Sequence, residues 1–347
     1  MEALTILGSC VSSVVPLAMI TLSGVVLAKA KLFNDKANHM VASACAKLLF
    51  PVLYGIILAR SVTFSKLTDY WFLLVNPFVV VGLASALCFL VVKLLKIPRE
   101  LNCTLVAVVG FTNFVNMPLI LVEGSCSSYG PLSDSEHCDD IEAYIILQTL
   151  VYNLLTWSYG YYLVQVDSNG SQTRFRVSQV LGNLKKPVPV GTLLGLVFGL
   201  IPGIKGVFFE DSAPLLVLSD SFYTVSYMGL ILSQIELGSN LILTKTQNSK
   251  LSKLDYFWVL GLRLVVLPLI GLGYTYLLDS QGIIHNLSMG YIVYLNFLCP
   301  TAIAVLVISQ LLSTNVQETT LLIFYMYLFS LVSVTLFSIL FFMVFKL

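Results

Sequence analysis

The sequence predicts an all-α, polytopic membrane protein. Of its 347 residues, 57% are hydrophobic and only 11% are charged, and the mean hydropathy is +0.90. A soluble domain carries about 25% charged residues, so a soluble fold of this size could not bury so much apolar surface. Apolar runs long enough to cross a bilayer also recur along the whole chain, separated by short polar stretches.

Ten such runs predict ten transmembrane helices. They cover residues 7–30, 38–61, 70–95, 101–123, 141–165, 188–204, 214–241, 254–278, 287–312 and 318–345. The first run has no basic n-region, so we interpret it as a span and not as a cleaved signal peptide. Residues 1–166 are predicted to form a first five-helix repeat, residues 167–187 a short cytoplasmic linker, and residues 188–347 a second repeat.

The Lys and Arg residues predict the orientation of these helices. Thirteen of the nineteen lie in loops that follow odd-numbered spans or at the span ends beside them, four lie on the other side, and two, Lys47 and Arg263, lie deeper within spans. Because positive loops stay in the cytoplasm, both termini are expected in a lumen or outside the cell. Each half has an odd number of spans, so two halves of the same fold would be inverted relative to each other.

Two predicted spans carry a matching break. The fourth contains GFTNFVNMPLILV, residues 110–122, in which Asn113, Asn116 and Pro118 interrupt an apolar run, and the ninth contains LNFLCPTAIAVL with Pro300. The two prolines are 182 positions apart, and the first spans of the two halves begin 181 positions apart. Interrupted helices at corresponding places in two halves indicate a transporter binding site. The alternative is that the prolines are ordinary kinks and the amides join neighbouring helices.

The breaks predict where a ligand would bind. A proline frees a carbonyl of the preceding turn, and in lipid that carbonyl needs a cavity or a partner. The N-termini of half-helices favour anionic groups. Thr301 beside the second break, and Tyr152 and Asn153 in the fifth span, are further candidates for this site.

Three charged residues within the apolar runs are candidates for a functional or structural role. Lys47 is near the middle of the second span, where a cation is costly, so it is a candidate partner for a substrate carboxylate or a member of a structural ion pair. Glu236, near the cytoplasmic end of the seventh span, is a candidate for proton coupling or a headgroup-level side chain. Arg263 in the eighth span is expected to serve the structure or a cytoplasmic gate.

Several classes of function have no support in the sequence. No cysteine or histidine cluster has metal-ligand spacing, and no P-loop, HExxH or GxSxG motif occurs, so we expect no enzyme activity, metal or cofactor. The net charge is +1, without a dense basic cluster, so nucleic acid is not an expected partner. Cys126 and Cys138 share an outward loop and are predicted to form a disulfide in an oxidising compartment.

Several segments resemble the auxin efflux carrier family in its PIN-LIKES branch. The fourth-span stretch GFTNFVNMPLI is similar to the N-x-x-N-x-P pattern of that family, and the chain continues with EGSCSSYGPLSDSEHC and AYIILQTLVYNLLTWSYGYYLV. In the second half, the similar segments are VGTLLGLVFGLIPGIKGVFFEDSAPLLVLSDS, ELGSNL and FLCPTAIAVLVISQLL. The resemblance covers most of the chain and both halves.

This resemblance implies a ten-span carrier of two inverted repeats, with broken crossover helices in spans four and nine. It implies an elevator-like cycle, in which the first, second, sixth and seventh spans form a scaffold, and the export or sequestration of small organic anions such as auxin. The chain departs from the family pattern at Ala304, where the family has Asn, and at Leu306, Thr112 and Val115, where it has Gly. The binding site is therefore expected to be bulkier and to lack one amide.

The sequence thus predicts a secondary transporter of small amphipathic organic anions, with auxin-like carboxylates as the leading class. The alternatives are a sodium-coupled symporter of the bile-acid type and a transporter-like receptor that binds a similar ligand without net flux. The expected location is the endoplasmic reticulum membrane, with the plasma or vacuolar membrane as alternatives. The expected partners are the organic anion and the lipid bilayer, and homodimer formation is left open.

Overall fold

A computed structural model describes residues 2–126, 132, 141–170, 176–210, 212–243 and 249–345. Within these residues the chain is helical, and its only β-type pairing is an isolated bridge between Thr112 and Thr301. The helices of the first half are α1 (Glu2–Lys29), α2 (Asp35–Ala44), α3 (Phe50–Ser61), α4 (Phe64–Asp69), α5 (Trp71–Leu95), α6 (Asn102–Gly110), α7 (Asn116–Ser125), α8 (Ile141–Leu155) and α9 (Tyr161–Ser168). Those of the second half are α10 (Val177–Asn183), α11 (Pro187–Leu200), α12 (Pro202–Phe208), α13 (Leu216–Leu243), α14 (Lys253–Gly261), α15 (Leu267–Ser280), α16 (Leu287–Leu298), α17 (Ala304–Leu311) and α18 (Val316–Phe345).

Five helices of the described part are long and apolar enough to cross a membrane, which confirms a polytopic membrane protein. They are Asp35–Ser61, Trp71–Leu95, Leu216–Leu243, Lys253–Ser280 and Val316–Phe345. A sixth is added if α11 and α12, which meet at an angle of 100°, are counted as one broken span. These helices coincide with apolar runs that the sequence predicts as spans, because twenty or more apolar residues favour one continuous helix in lipid.

Capping residues explain where several helices begin. Asn34 and Asn286 precede α2 and α16, and their side chains accept hydrogen bonds from the N–H groups of Ala37 and Met289. Ser252 precedes α14 in a reciprocal capping box with Asp255. Each side chain satisfies an N–H group that has no partner within the helix, so these polar residues set the helix starts at the membrane edge.

In the described part of the chain, three wider π turns interrupt otherwise continuous helices. They cover Cys45–Leu49 between α2 and α3, Thr156–Gly160 between α8 and α9, and Leu262–Val266 between α14 and α15. The first and third are each followed two residues later by a proline, Pro51 or Pro268. A proline has no N–H to donate, so the regular hydrogen-bond ladder is already broken there and the wider turn is tolerated.

Two pairs of helices pack with their backbones in direct contact. In the pair α1 and α13, a Cβ atom added to Gly238 would lie 1.8 Å from the carbonyl oxygen of Thr21, and one added to Gly24 would lie 2.1 Å from that of Ile235. In the pair α3 and α11, a Cβ on Gly195 would lie 2.2 Å from the carbonyl oxygen of Gly55. We call these four helices the glycine-packed layer, because only glycine permits such close approach within a membrane.

Candidate functional site

The two breaks meet and pair with each other. Residues 111–115 separate α6 from α7, and residues 299–303 separate α16 from α17. The N–H of Asn113 donates to the carbonyl of Pro300 at 2.7 Å, and the N–H of Ala302 donates to the carbonyl of Phe111 at 2.9 Å. Backbone groups that no helix can satisfy are therefore satisfied across the crossing, as the absence of water in a bilayer requires.

Two threonine side chains reinforce this crossing. The hydroxyl of Thr112 donates to the carbonyl of Cys299 at 3.1 Å, and the hydroxyl of Thr301 donates to the carbonyl of Val108. Both threonines are fully buried. Thr301, a predicted site residue, thus holds the crossing together through the carbonyl end of α6.

Arg263 binds the carbonyl ends of both broken helices. Its guanidinium is fully buried and donates to the carbonyls of Cys299 at 3.0 Å and Val109 at 3.0 Å, with a longer contact of 3.4 Å to Asn296. The C-terminus of a helix carries partial negative charge, so a cation placed between two such ends stabilises both. This is the structural one of the two roles that the sequence offered for Arg263; the carbonyl partners could not be named from an arginine inside an apolar run alone.

The prolines lie differently with respect to the breaks. Pro300 lies within the second break and supplies the carbonyl that Asn113 bonds. Pro118, expected to break the fourth span, lies in the first turn of α7, after a break that ends at Val115. The first turn of a helix tolerates proline, because its N–H would have no helical partner there. The residues of the first break pair with residues 299–303 instead.

A small cavity of about 40 Å³ lies against the crossing. Its walls come from α3, from α13 and from both breaks: Phe50, Leu53, Tyr54, Ile57, Asn113, Phe114, Val115, Leu230, Ala302, Ile303 and Ala304. The walls are apolar and aromatic, with one amide, and α17 begins at Ala304 on the cavity edge. A volume of this size holds about one water molecule, so an organic ligand requires a more open arrangement.

The predicted asparagines differ in what surrounds them. Asn113 lines the cavity, and its amide nitrogen donates to the hydroxyl of Tyr327 on α18 at 2.8 Å. Asn116 begins α7, and its side chain lies outside the described part. Tyr327 was not predicted from the sequence, because nothing in the last apolar run, which also contains Tyr325, gave a signal for this contact.

The fifth-span candidates lie beside the first break. The ring of Tyr152 stacks on that of Phe114, with centroids 5.0 Å apart and planes 5° apart. The hydroxyl of Tyr152 and both polar atoms of Asn153 are buried and have no hydrogen-bond partner in the described structure. Such atoms are uncommon in folded proteins and mark places where water, a ligand or a second conformation is expected.

The remaining candidates lie away from the cavity. Lys47 is exposed on the first π turn and is not among the lining residues. Glu236 is fully buried on α13, and both of its carboxylate oxygens have no partner among the described residues. Cys126 is disulfide-bonded, but Cys138 lies outside the described residues, so the predicted pairing stays a prediction.

A larger cavity of about 520 Å³ lies elsewhere, between α3, α11, α12 and α13. Its lining is almost entirely apolar, and Ser219 supplies the only hydroxyl there. No cation or amide of the described residues lines it. We therefore place the candidate site at the crossing, where polar groups and half-helix ends converge, and not at the larger apolar groove.

A helical membrane protein with paired broken helices and a polar, buried crossing belongs to the class of membrane carriers. Comparison with known proteins agrees with this. A profile of the family described as membrane transport protein matches residues 9–338, and the chain belongs to this family. The family consists of transporters and not of enzymes, so no catalytic centre is assigned.

Curated relatives confirm the resemblance found in the sequence. Protein PIN-LIKES 1 of Arabidopsis thaliana is 23% identical over 94% of this chain and 78% of its own length. Protein PIN-LIKES 3 of the same plant is 25% identical over 93% of this chain and 94% of its own length. Protein PIN-LIKES 7, also of Arabidopsis thaliana, is 25% identical over 85% of this chain and 88% of its own length.

Proposed function

We propose that the chain is a secondary transporter that exports or sequesters small amphipathic organic anions, with auxin-like carboxylates as the leading class. The observation that carries this proposal is the crossing of the two breaks around a cavity with one amide and the start of a half-helix. The N-terminus of α17 offers partial positive charge for a carboxylate. The aromatic walls fit the apolar body of such a ligand.

The proposed mechanism is alternating access of the elevator type. In this proposal the chain has ten spans in two inverted repeats, and the glycine-packed layer is part of a fixed scaffold. Direct backbone contact leaves the four helices of this layer little freedom to slide, whereas the crossing adjoins the layer through side chains that line the cavity. The cavity must widen by movement of the crossing against α3 and α13, because it is too small for a ligand as it stands.

The proposed location is the endoplasmic reticulum membrane, with both termini in the lumen. The thirteen-to-four distribution of Lys and Arg supports the orientation, and the resemblance to PIN-LIKES proteins supports transport rather than sensing. A transporter-like receptor and a sodium-coupled symporter remain the competing proposals. Homodimer formation is compatible with each of them.

The decisive experiment is uptake into liposomes that contain the purified protein. Radiolabelled indole carboxylates, short carboxylates and bile-acid-like anions are compared, with and without a pH gradient or membrane potential. A carrier accumulates or depletes the label beyond the amount of protein present, whereas a receptor saturates at one ligand per site. Replacing sodium by a bulky organic cation should leave the flux unchanged, and a steep dependence on sodium would favour the symporter.

A further inference from the structure

Glu236 stands apart from the other buried acids of the described structure. Asp167 accepts hydrogen bonds from the N–H and the hydroxyl of Thr104, both at 2.7 Å. Glu318 accepts one from the N–H of Lys250 at 3.0 Å. Glu236 is fully buried, yet neither of its carboxylate oxygens has a hydrogen-bond partner among the described residues.

The position of Glu236 on α13 shows what it faces. Gly229, Ser233, Glu236 and Asn240 follow one another at helical spacing, so they share one face of the helix. At one end of this face the thiol of Cys45 donates to the carbonyl of Gly229 at 3.5 Å. At the other end Asn38 of α2 donates to the side chain of Asn240 at 2.8 Å, and Ser239 donates to Asn38 at 2.6 Å. The carboxyl therefore lies against α2 and the first π turn, between two satisfied polar contacts.

The half-helix that starts at the crossing closes this region. Leu306 of α17 packs with Leu237, the residue next to Glu236, in one buried cluster. The helix α17 also contacts α2 and α13. Because α17 begins at Ala304 on the cavity edge and contacts α2 and α13, a movement of α17 that widens the cavity also changes the packing beside Glu236.

The elements around Glu236 supply no compensating charge. On α2, the charged or titratable groups Asp35, Lys36 and His39 are all exposed. Cys45 on the π turn is the titratable group that interacts electrostatically with it, while Lys47 on the same turn is exposed. The sequence of α17 contains no charged residue, and the part of α1 beside α13, around Thr21 and Gly24, contains none either. On the remaining neighbours α3 and α18, the charged or titratable groups are Tyr54, Arg60, Glu318, Tyr325 and Tyr327. Arg60 is bonded to Asp220, and Tyr327 to Asn113.

We propose that Glu236 binds a proton whenever the crossing is closed and releases it when ligand binding opens the cavity. An unpaired carboxylate in an apolar, water-free place is costly, so the closed arrangement accommodates the neutral acid. When α17 moves away, water reaches the carboxyl and the proton leaves to that water. Proton and anionic ligand then occupy the protein alternately, which makes the carrier an anion/proton exchanger. This inference rests on the proposed transport function.

The proposed exchange predicts the direction in which pH changes the affinity for the ligand. If the ligand binds only the open, deprotonated form, acid weakens binding, by up to about tenfold for each pH unit, which is the limit for one proton. In E236Q the neutral amide cannot lose a proton, so this dependence should disappear. E100Q is the matched control, because the same change is made at an exposed loop residue, and it should retain the wild-type dependence.

A second readout does not need transport or a known ligand. Infrared difference spectra of the protein in membranes, without any ligand, should show a protonated carboxyl band that is present in the wild type and E100Q and absent in E236Q and E236L. Absence of that band from the wild type would overturn the proposal, whatever the variants do. Wild-type pH dependence retained in E236Q or E236L would also overturn it. If the band is lost in both variants but no anion is moved by the wild type, the proton site stands and the transport function fails.

Discussion

Helices of the glycine-packed layer and helices at the crossing are held together by different kinds of contact. In the layer, backbones touch directly, and a Cβ atom at Gly238 would reach within 1.8 Å of a carbonyl oxygen. At the crossing, helices stop and hydrogen bonds and a buried guanidinium replace the missing helical contacts. The glycine contacts of the layer leave no room for a methyl group, whereas helices next to the crossing carry buried polar atoms without a partner among the described residues.

Part of this unused hydrogen-bonding capacity lies on helices that contact the broken ones. Buried side-chain atoms without a hydrogen-bond partner in the described structure occur on α5, α8 and α16, which include Asn76, Gln148, Tyr152, Asn153 and Tyr294. Unsatisfied buried groups are costly in a single static state, so their number here indicates a region that rearranges or binds. The comparison teaches that the closest backbone contacts and the interrupted backbone lie at different places, and that α3 and α13 adjoin both. The predictions below test that separation.

The largest effect is expected at Arg263. Changing Arg263 to Met leaves the carbonyls of Cys299, Val109 and Asn296 without their donor, and the loss should be about 3 kcal/mol or more of stability. The matched control is Arg60→Met, whose partner Asp220 is exposed, with an expected loss of about 0–1 kcal/mol. Thermal unfolding in detergent measures both losses. Equal shifts in melting temperature would show that the hydrogen bonds of Arg263 at the crossing stabilise the fold no more than an exposed ion pair does.

The glycine-packed layer should be sensitive to a single methyl group. We expect Gly238→Ala to lower stability by about 1–3 kcal/mol, because the helices α1 and α13 must separate to admit it. Gly261→Ala is the control, since a Cβ there meets nothing within 4 Å, and alanine favours a helix over glycine by about 1 kcal/mol. We expect Gly238→Ala to lower the melting temperature and Gly261→Ala to raise it. A decrease of the same size in both variants would mean that close packing is not the cause of the destabilisation.

Ligand affinity should depend on Asn113. Its amide lines the cavity, so Asn113→Ala should weaken binding of the transported anion by about 1–3 kcal/mol. Lys47→Met provides a comparison, because this exposed side chain lies away from the cavity, and it should change affinity by less than about 0.5 kcal/mol. Binding of a carboxylate and of its neutral amide is measured for both variants. If Lys47→Met weakened binding of the carboxylate but not of the amide, Lys47 would have to be assigned to the binding site.

Tyr327 should act in the opposite direction. In the closed cavity its hydroxyl accepts a hydrogen bond from the amide nitrogen of Asn113 at 2.8 Å. A ligand that binds this amide must therefore displace the tyrosine hydroxyl. Tyr327→Phe should therefore tighten binding by about 1 kcal/mol, or roughly fivefold. Equilibrium binding in wild type, Tyr327→Phe and the double variant with Asn113→Ala measures the coupling. Tighter binding that persists without Asn113 would contradict this explanation.

The smallest effect is expected at an exposed ion pair. Lys250 Nζ donates to Glu100 at 2.8 Å, and this hydrogen bond lowers the pKa of Glu100 and raises that of Lys250. The contribution of this ion pair to the free energy of unfolding is present above the ordinary pKa of the Glu100 carboxyl. It is lost as the pH falls through the lowered pKa of that carboxyl. At the alkaline end it is lost as the pH rises through the raised pKa of Lys250. Melting temperatures of wild type and Glu100→Gln across pH should converge at both ends, and a constant difference would rule out the pair as the source.

Local patterns were sufficient for much of the architecture. Hydropathy over twenty residues predicts the long helices, since burial of an apolar helix in lipid depends on its own composition. The runs 70–95 and 318–345 correspond to the helices Trp71–Leu95 and Val316–Phe345. The matched prolines also indicated two interruptions, because a missing N–H acts on its own turn.

Only the tertiary structure decided how the interruptions are used. Asn113 and Tyr327 are 214 residues apart, and Arg263 joins carbonyls from two separate helices. Such contacts depend on which helices cross and at what depth, which no local pattern contains. The sequence by itself determined that the chain enters a membrane and that its predicted fourth and ninth spans are interrupted. The packing of the helices decided that Arg263 is bound at the crossing, that Lys47 is exposed and that Glu236 is buried without a partner, because burial and pairing are properties of neighbours and not of position in the chain.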